Sequence, residues 1–340
     1  MTTTRFFSFR PFAACAFAAL PAVLRVAAKI FACVALAGSA ACSGFWASAA
    51  SAADLPVLKV GDQSLQTRGI LEASGQLKDL PYRIEWFNFP AAQPLGEALN
   101  AGAVDVGGLG DAPLVFALAA GARVRAVAAT RSQPVDLAIV VNSHSPLTDV
   151  ASLKGKRIAT TRGSIGHFLA LAALKKANIS LSDVTFVFLA PADAKAALAS
   201  GSVDAWSVWD PYTALGEARD HDRIIANGVG LSEGLSYQVA TERAIADKRA
   251  QLADFLRRVA LGQRWALSHP DEVAARQARV TGLPPDVLRT VYQRAQVHPV
   301  AIDASVIAAQ QRTADTYQAA NVIPAHLDVR GSFDRSFPLP

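Results

Sequence analysis

A stretch that occurs twice limits most strongly what this chain can fold into. Residues 98–113, ALNAGAVDVGGLGDAP, are echoed 99 positions later by residues 197–211, ALASGSVDAWSVWDP. Ala98, Leu99, Gly102, Val104, Asp105 and Asp111 fall without a gap onto Ala197, Leu198, Gly201, Val203, Asp204 and Asp210. Each copy reads as a helix end, a Gly turn, a short apolar strand, and an Asp/Pro corner that opens the next helix. A helix–strand–helix unit used twice at that distance implies two similar α/β lobes, and two lobes enclose a cleft. Ligands of α/β sheets bind beyond the carboxyl ends of the strands, which places Gly110, Asp111, Trp209 and Asp210 at that cleft.

The apolar content is sufficient for such a plan: 340 residues, 51% of them hydrophobic and 18% charged, can bury two cores. The formal charge of +5 suggests a polyanion partner, yet the first 53 residues carry Arg5, Arg10, Arg25 and Lys29 and no acid. Without them bases and acids balance to within one charge, which leaves no electrostatic footprint for nucleic acid. Cys15, Cys33 and Cys42 all precede Asp54, so the body of the chain is expected to hold no disulfide, no Cys-ligated metal and no Cys nucleophile.

Those early residues read as a secretory signal over residues 1–52: Arg25 and Lys29, then an apolar run, then the small residues Ala50, Ser51 and Ala52 with Ala-x-Ala spacing. Cleavage after Ala52 makes the segment longer than the usual ~15–30 residues. A translation start inside it, for example at Val23 or Leu24, would restore the usual length. Two rival readings fit less well. Ser39 stands where a lipobox before Cys42 needs a large apolar residue, and the weakly apolar run at 37–41 argues against a retained anchor.

Periodicity predicts strands at 55–60, 82–87, 104–107, 124–130, 137–141, 157–160, 184–189, 224–226 and 236–240, alternating with helices such as 67–77, 93–100, 112–120, 167–177 and 192–199. From 242 to 320 the pattern is helical, interrupted at 269–270, 282–285 and 298–299. Strands interleaved with helices imply mainly parallel sheets. The expected organisation is a first lobe of residues 53–138 plus 239–340 and an inserted second lobe of 139–238, with chain crossings near 138 and 238 as a two-strand hinge.

One turn stands out chemically. Thr160-Thr161-Arg162-Gly163-Ser164-Ile165-Gly166-His167 follows a strand and opens a helix, so first-turn N–H groups without intrahelical acceptors point outward at the positive end of the dipole. Such an end binds an oxyanion, with the Thr161 and Ser164 hydroxyls as added donors. An ordinary N-cap formed by Ser164 is the alternative. Where the first copy of the repeat has Gly107, Gly108, Leu109 and Gly110, the second has Trp206, Trp209, Pro211 and Tyr212, so one wall of the cleft is smooth and the other aromatic. Alternation turns Trp206 into the core and Trp209 and Tyr212 toward the cleft. Asp111 and Asp210 read equally well as caps and as ligand contacts. The six histidines show no metal-site spacing, and the sequence contains no P-loop, no Gly-x-Gly-x-x-Gly and no Gly-x-Ser-x-Gly elbow.

The segments PVLKVGDQ, WFNFPAAQPLGEALNAGAVDVGGLGDAP, FALAAGA, RGSIGH, PADAKAAL, GSVDAWSVWDPY and IPAHLDVR, spread over residues 55–330, resemble the periplasmic aliphatic-sulfonate-binding proteins of ABC importers, relatives of taurine- and nitrate-binding proteins. The resemblance implies an α/β two-lobed clamp that closes on its ligand. It implies a site lined by Gln63, Gly110, Asp111, Thr161, Gly163, Ser164, His167, Trp209, Asp210, Tyr212 and, more weakly, Tyr237. Gly163, Ser164 and other helix-end N–H groups would hold the sulfonate while Trp209 packs on its tail, and Ser164→Ala is expected to weaken anion binding by about 1–3 kcal/mol. It further implies a periplasmic monomer without cofactor or metal, partnered by a permease and its ATPase for sulfur uptake and binding no nucleic acid. Ser164-Ile165-Gly166 replaces the family's run of serines, and Gly61-Asp62-Gln63 its common Gly-Tyr-Gln, so taurine, an aromatic sulfonate, a sulfate ester, nitrate or a vitamin precursor stand as alternative ligands. Desulfinases resemble the same fold but use a Cys nucleophile, which the expected mature chain lacks.

Overall fold

The computed structural model describes residues 55–337, and the signal segment, its cleavage site, the alternative start and the three cysteines lie outside the described residues. From β1 (Val57–Gln63) the chain runs through α1 (Gln66–Ala73), β2 (Arg83–Phe89), α2 (Ala92–Asn100), β3 (Val106–Gly110), α3 (Asp111–Ala119) and β4 (Val124–Arg131). It then enters a second sheet with β5 (Ala138–Val141), β6 (Arg157–Thr160), α4 (Ile165–Lys176), β7 (Thr185–Phe188), α5 (Pro191–Ala199), β8 (Ala205–Val208), α6 (Tyr212–Leu215) and β9 (Arg223–Asn227). β10 (Leu235–Thr241) returns to the first sheet. Then follow α7 (Glu242–Asp247), α8 (Arg249–Ser268), α9 (Pro270–Thr281), α10 (Pro285–Ala295), the short β11 (His298–Val300) and α11 (Ala304–Ala319).

The strand orders are β11-β4-β10-β3-β1-β2 and β7-β6-β8-β5-β9. Both sheets are mixed, which corrects the expectation of mainly parallel ones. Helix crossovers make β1/β2, β1/β3, β6/β7 and β6/β8 parallel. The two passages between the sheets contain no long helix, and the strand that lands after each of them pairs antiparallel with both neighbours: β5 with β8 and β9, β10 with β3 and β4. Periodicity reports burial rather than strand direction, so this was not legible. The return passage occupies residues 228–234, earlier than the expected position near 238, because Tyr237 already pairs with Leu109 and Ala129 in the first sheet. The interruption at 298–299 is a strand: β11 lies on the sheet edge, where a proline needs no ladder donor. α1 stops at Ala73, short of the expected 77, where the Ser74 hydroxyl donates to the Ile70 carbonyl and Gly75 takes φ +71.

The repeated stretch builds the same scaffold in each sheet. Gly102 (φ +67) and Gly201 (φ +71) end α2 and α5 in the left-handed conformation that glycine adopts at no steric cost. Asp105 then exchanges two bonds with Lys59 at the start of β1: its N–H donates to the Lys59 carbonyl at 2.8 Å, and its carboxylate accepts the Lys59 N–H at 2.7 Å. Asp204 does the same with Arg157 at the start of β6, at 2.9 and 2.8 Å. Each aspartate thereby fixes the register of its parallel pair.

Apolar clusters cover both faces of both sheets. Leu58, Val60, Phe255 and Leu256 fill one side of the first, and Leu109, Leu114 and Tyr237 the other. Ile139, Ile158 and Leu169 fill one side of the second, and Trp206 with Leu198 the other. A further cluster joins Ala112 and Val115 of α3 and Tyr317 of α11 to Phe168 and Leu171 of α4, so helices from both sheets pack on one another. No helix among the described residues is long and apolar enough to cross a membrane.

Candidate functional site

A cavity of about 310 Å³ opens at the carboxyl ends of β1 and β3. Its floor is the end of the first sheet where β1, β3 and β4 finish and β10 begins: Gln63, Gly108, Gly110, Thr130, Ser236 and Gln238. Glycine is required in this region. A Cβ on Gly107 would stand 2.9 Å from the Gly61 carbonyl oxygen and 2.9 Å from a Leu95 methyl, so β1 and β3 could not lie together. Ile165, Trp209, Asp210 and Pro211 from the second sheet's loops form the facing wall. The crossing segments contribute Ser132, Asp136 and Ser232, and Val259, Gln277 and Tyr292 from α8, α9 and α10 close the remaining side.

Of the eleven residues singled out in the sequence, Gln63, Gly110, Trp209, Asp210 and Tyr237 line this cavity. Asp62 presents Gln63: its carboxylate accepts the Thr67 and Arg68 N–H groups at 3.0 and 2.8 Å, caps α1, and is pushed up to about 6 by burial. Trp209 is held by the edge of Tyr212, with ring centroids 6.1 Å apart. Asp210 accepts the Ala214 N–H at 3.0 Å and pairs with Arg294 of α10, whose Nε lies 2.6 Å away and whose Nη1 reaches Glu217 at 2.7 Å. Tyr237 is 1% exposed, and its ring packs against Phe333 beneath the floor.

The other six stand behind the lining, each with its polar groups engaged or its ring packed. Asp111 turns into the α3–α11 packing, accepts the Ala112 N–H at 2.7 Å, and is raised to about 7 by burial. The Thr161 hydroxyl donates to the Leu189 carbonyl at 2.8 Å. Gly163 takes φ +72 against the face of Phe116, where a Cβ would come within 2.7 Å of the ring, and its N–H donates to His167 Nδ1 at 3.3 Å. Ser164 caps α4 by accepting the His167 N–H at 3.2 Å, and its carbonyl accepts the Tyr317 hydroxyl at 2.9 Å. His167 lies edge-on to Phe186 and Phe188; burial, and secondly Arg162, lowers it to about 4, so the imidazole is neutral. Tyr212 packs between Trp206, which is 2% exposed, and Trp209, instead of facing the cavity as alternation suggests.

With Ser164 bonded to His167, the first-turn donors of α4 without an intrahelical acceptor are the N–H groups of Ile165 and Gly166, and Ile165 is on the cavity. Sequence reasoning missed Asp136, Gln277, Arg294 and the whole α8–α10 wall. The charged side chains among the lining residues are the carboxylates Asp136 and Asp210; the lining itself includes no Lys, Arg or His, and Arg294 reaches Asp210 from behind it.

Two sheets joined by two crossings, with a ligand-sized cavity where the loops of both meet, define a small-molecule-binding clamp. Comparison with known proteins gives the family. The NMT1/THI5 like family matches residues 90–273. The "putative aliphatic sulfonates-binding protein" of Escherichia coli is 33% identical over 87% of this chain and 94% of its own length. Among solved structures, the alkanesulfonate-binding protein SsuA from Xanthomonas axonopodis pv. citri bound to MOPS superposes with TM-score 0.76 at 33% identity, covering 82% of this chain and 98% of that one. The periplasmic aliphatic sulphonate binding protein SsuA from Escherichia coli gives TM-score 0.71 at 34% identity over 81% and 91%. The chain belongs to the NMT1/THI5-like family and, within it, to the aliphatic-sulfonate-binding proteins.

Proposed function

We propose that this chain is the extracytoplasmic binding component of an ABC importer, taking an aliphatic sulfonate into the cavity and delivering it to a permease without making or breaking a bond. The observation that carries the reading is the α4 end: two N–H donors without an intrahelical acceptor at Ile165 and Gly166, the first of these residues on the cavity, at the positive end of a helix and on the same wall as Trp209. A sulfonate is permanently ionised and offers three oxygens to such donors, while its carbon tail suits Trp209, Leu288 and Val291. Gly163, Ser164 and His167 act from behind the cavity by fixing the turn, and Gln63 and Gly110 approach the ligand from the first sheet. Residues 53–131 with 235–340 and residues 138–227 move as the two bodies of a monomeric clamp, bending at 132–137 and 228–234. The protein works in the periplasm, its signal removed, beside the permease and its ATPase, and serves sulfur uptake.

Calorimetry of ligand-stripped mature protein against alkane- and arylsulfonates, taurine, sulfate and nitrate tests the reading. Binding of at least one sulfonate tighter than nitrate or sulfate is expected. Failure of every sulfonate at millimolar concentration refutes it.

A further inference from the structure

The wall of the cavity is built to receive a hydrogen-bond donor as well as an anion. Asp136 belongs to the short turn Pro134–Asp136 in the first crossing segment and lies on the cavity. Among the described residues its carboxylate has no side-chain hydrogen-bond partner and no ion pair: the donors acting on it are its own N–H and that of Leu137, and the charged groups acting on it are Asp210 and Arg294. Arg294 is itself committed to Asp210 and Glu217. Two further acceptors, on residues that line the cavity, lack a donor among the described residues and are themselves closed off: Gln238 Oε1, on a residue 8% exposed, and Gln277 Oε1, on one 2% exposed and turned onto Gly69 of α1. The orientation of Gln277 is set by its Nε2, which donates to the Ser64 carbonyl at 2.7 Å. Buried acceptors without donors cost free energy unless a ligand or water supplies the donor. A plain alkanesulfonate, all acceptor and hydrocarbon, supplies none.

Resting on the sulfonate reading above, we infer that the cleft selects zwitterionic sulfonates, with the sulfonate at the α4 end and a protonated amine on Asp136. Burial, with the Asp210 carboxylate as the next cause, pushes Asp136 up to about 7, so an adjoining ammonium would draw it into its charged form.

Matched pairs test this by calorimetry: taurine against ethanesulfonate, homotaurine against propanesulfonate, and MOPS as a tertiary amine, each on the wild type and on Asp136→Asn. The wild type is expected to bind the amine member of a pair roughly 10-fold or more tighter, as a charge-assisted hydrogen bond allows. Asp136→Asn, nearly the same shape, should remove that preference while leaving the plain member's affinity unchanged or raised, because a carboxylate no longer faces the anion. Equal binding of both members by the wild type, or equal weakening of both by the substitution, overturns the zwitterion inference and leaves the sulfonate reading standing. If no sulfonate of either kind binds, both fall. Thermal melting of Asp136→Asn checks the fold, and if that variant is unfolded the wild-type pairs decide alone.

Discussion

The two copies of the repeat agree where they build the scaffold and part where they meet the ligand. Asp105 and Asp204 make the same pair of backbone bonds at the start of β3 and β8. Six residues further on, the matched Asp111 and Asp210 live in opposite surroundings. Asp111 is buried with no cation beside it, whereas Asp210 is gripped by Arg294. A duplicated unit can thus keep its register-setting residue for geometric reasons while its corner is free to change chemistry. In the first copy the corner serves packing between α3 and α11; in the second it ties α6 to α10 at the edge of the cavity.

The sharpest way to break that contrast is to remove the cation. Arg294→Ala leaves a carboxylate that is 3% exposed without its partner, and Glu217 loses its bond as well. Breaking a buried pair from one side costs about 3–5 kcal/mol. Urea denaturation at neutral pH should show a loss of that order, and a loss below about 1 kcal/mol would mean that Asp210 is held by the Ala214 N–H alone.

The first copy gives a smaller effect of the opposite sense. Burial raises Asp111 from 3.8 to about 7 in the folded protein, so over that interval the folded state binds more protons than the unfolded chain. The stabilising contribution is therefore complete below 3.8 and is lost as pH rises through about 7. Asp62, Asp136, Asp210 and Asp222 are also raised by burial and tilt the profile in the same direction. Asp111→Asn, which cannot ionise, should flatten the decline measured by denaturation between about pH 5 and about pH 8, by roughly 2 kcal/mol. An unaltered slope would assign the decline to the other four.

What could be read in the sequence follows the same division. The repeat, the glycine turns, the burial of Trp206 and the cavity-facing positions of Gln63, Gly110 and Trp209 are legible because they depend on local geometry, on the two-residue alternation of a strand and on loops at its carboxyl end. Strand direction was not legible, since β5 and β10 carry apolar patterns that suit either pairing. Nor was the α8–α10 wall: Arg294 meets Asp210 across 84 positions, Gln277 meets Ser64 across 213, and no spacing rule joins residues so far apart. Tyr212 was misplaced for a related reason. It begins α6 instead of continuing β8, so strand alternation no longer describes where its ring points.

The turn before α4 belongs to neither copy, yet it matches the loop after β1: each follows the strand that has two parallel neighbours, β1 or β6, and places a side-chain oxygen on the N–H groups of the next helix. Asp62 does this for α1, accepting two N–H groups, and Ser164 for α4, accepting one. Ser164 is 7% exposed and stands behind the cavity, so its hydroxyl is spent on the helix. Ser164→Ala should therefore cost about 1 kcal/mol of stability as a lost cap, the smallest of these effects, and shift sulfonate affinity by less than about threefold. Stability unchanged with affinity reduced tenfold or more would instead place the hydroxyl on the ligand, and would make Ile165 and Gly166 only part of the anion site.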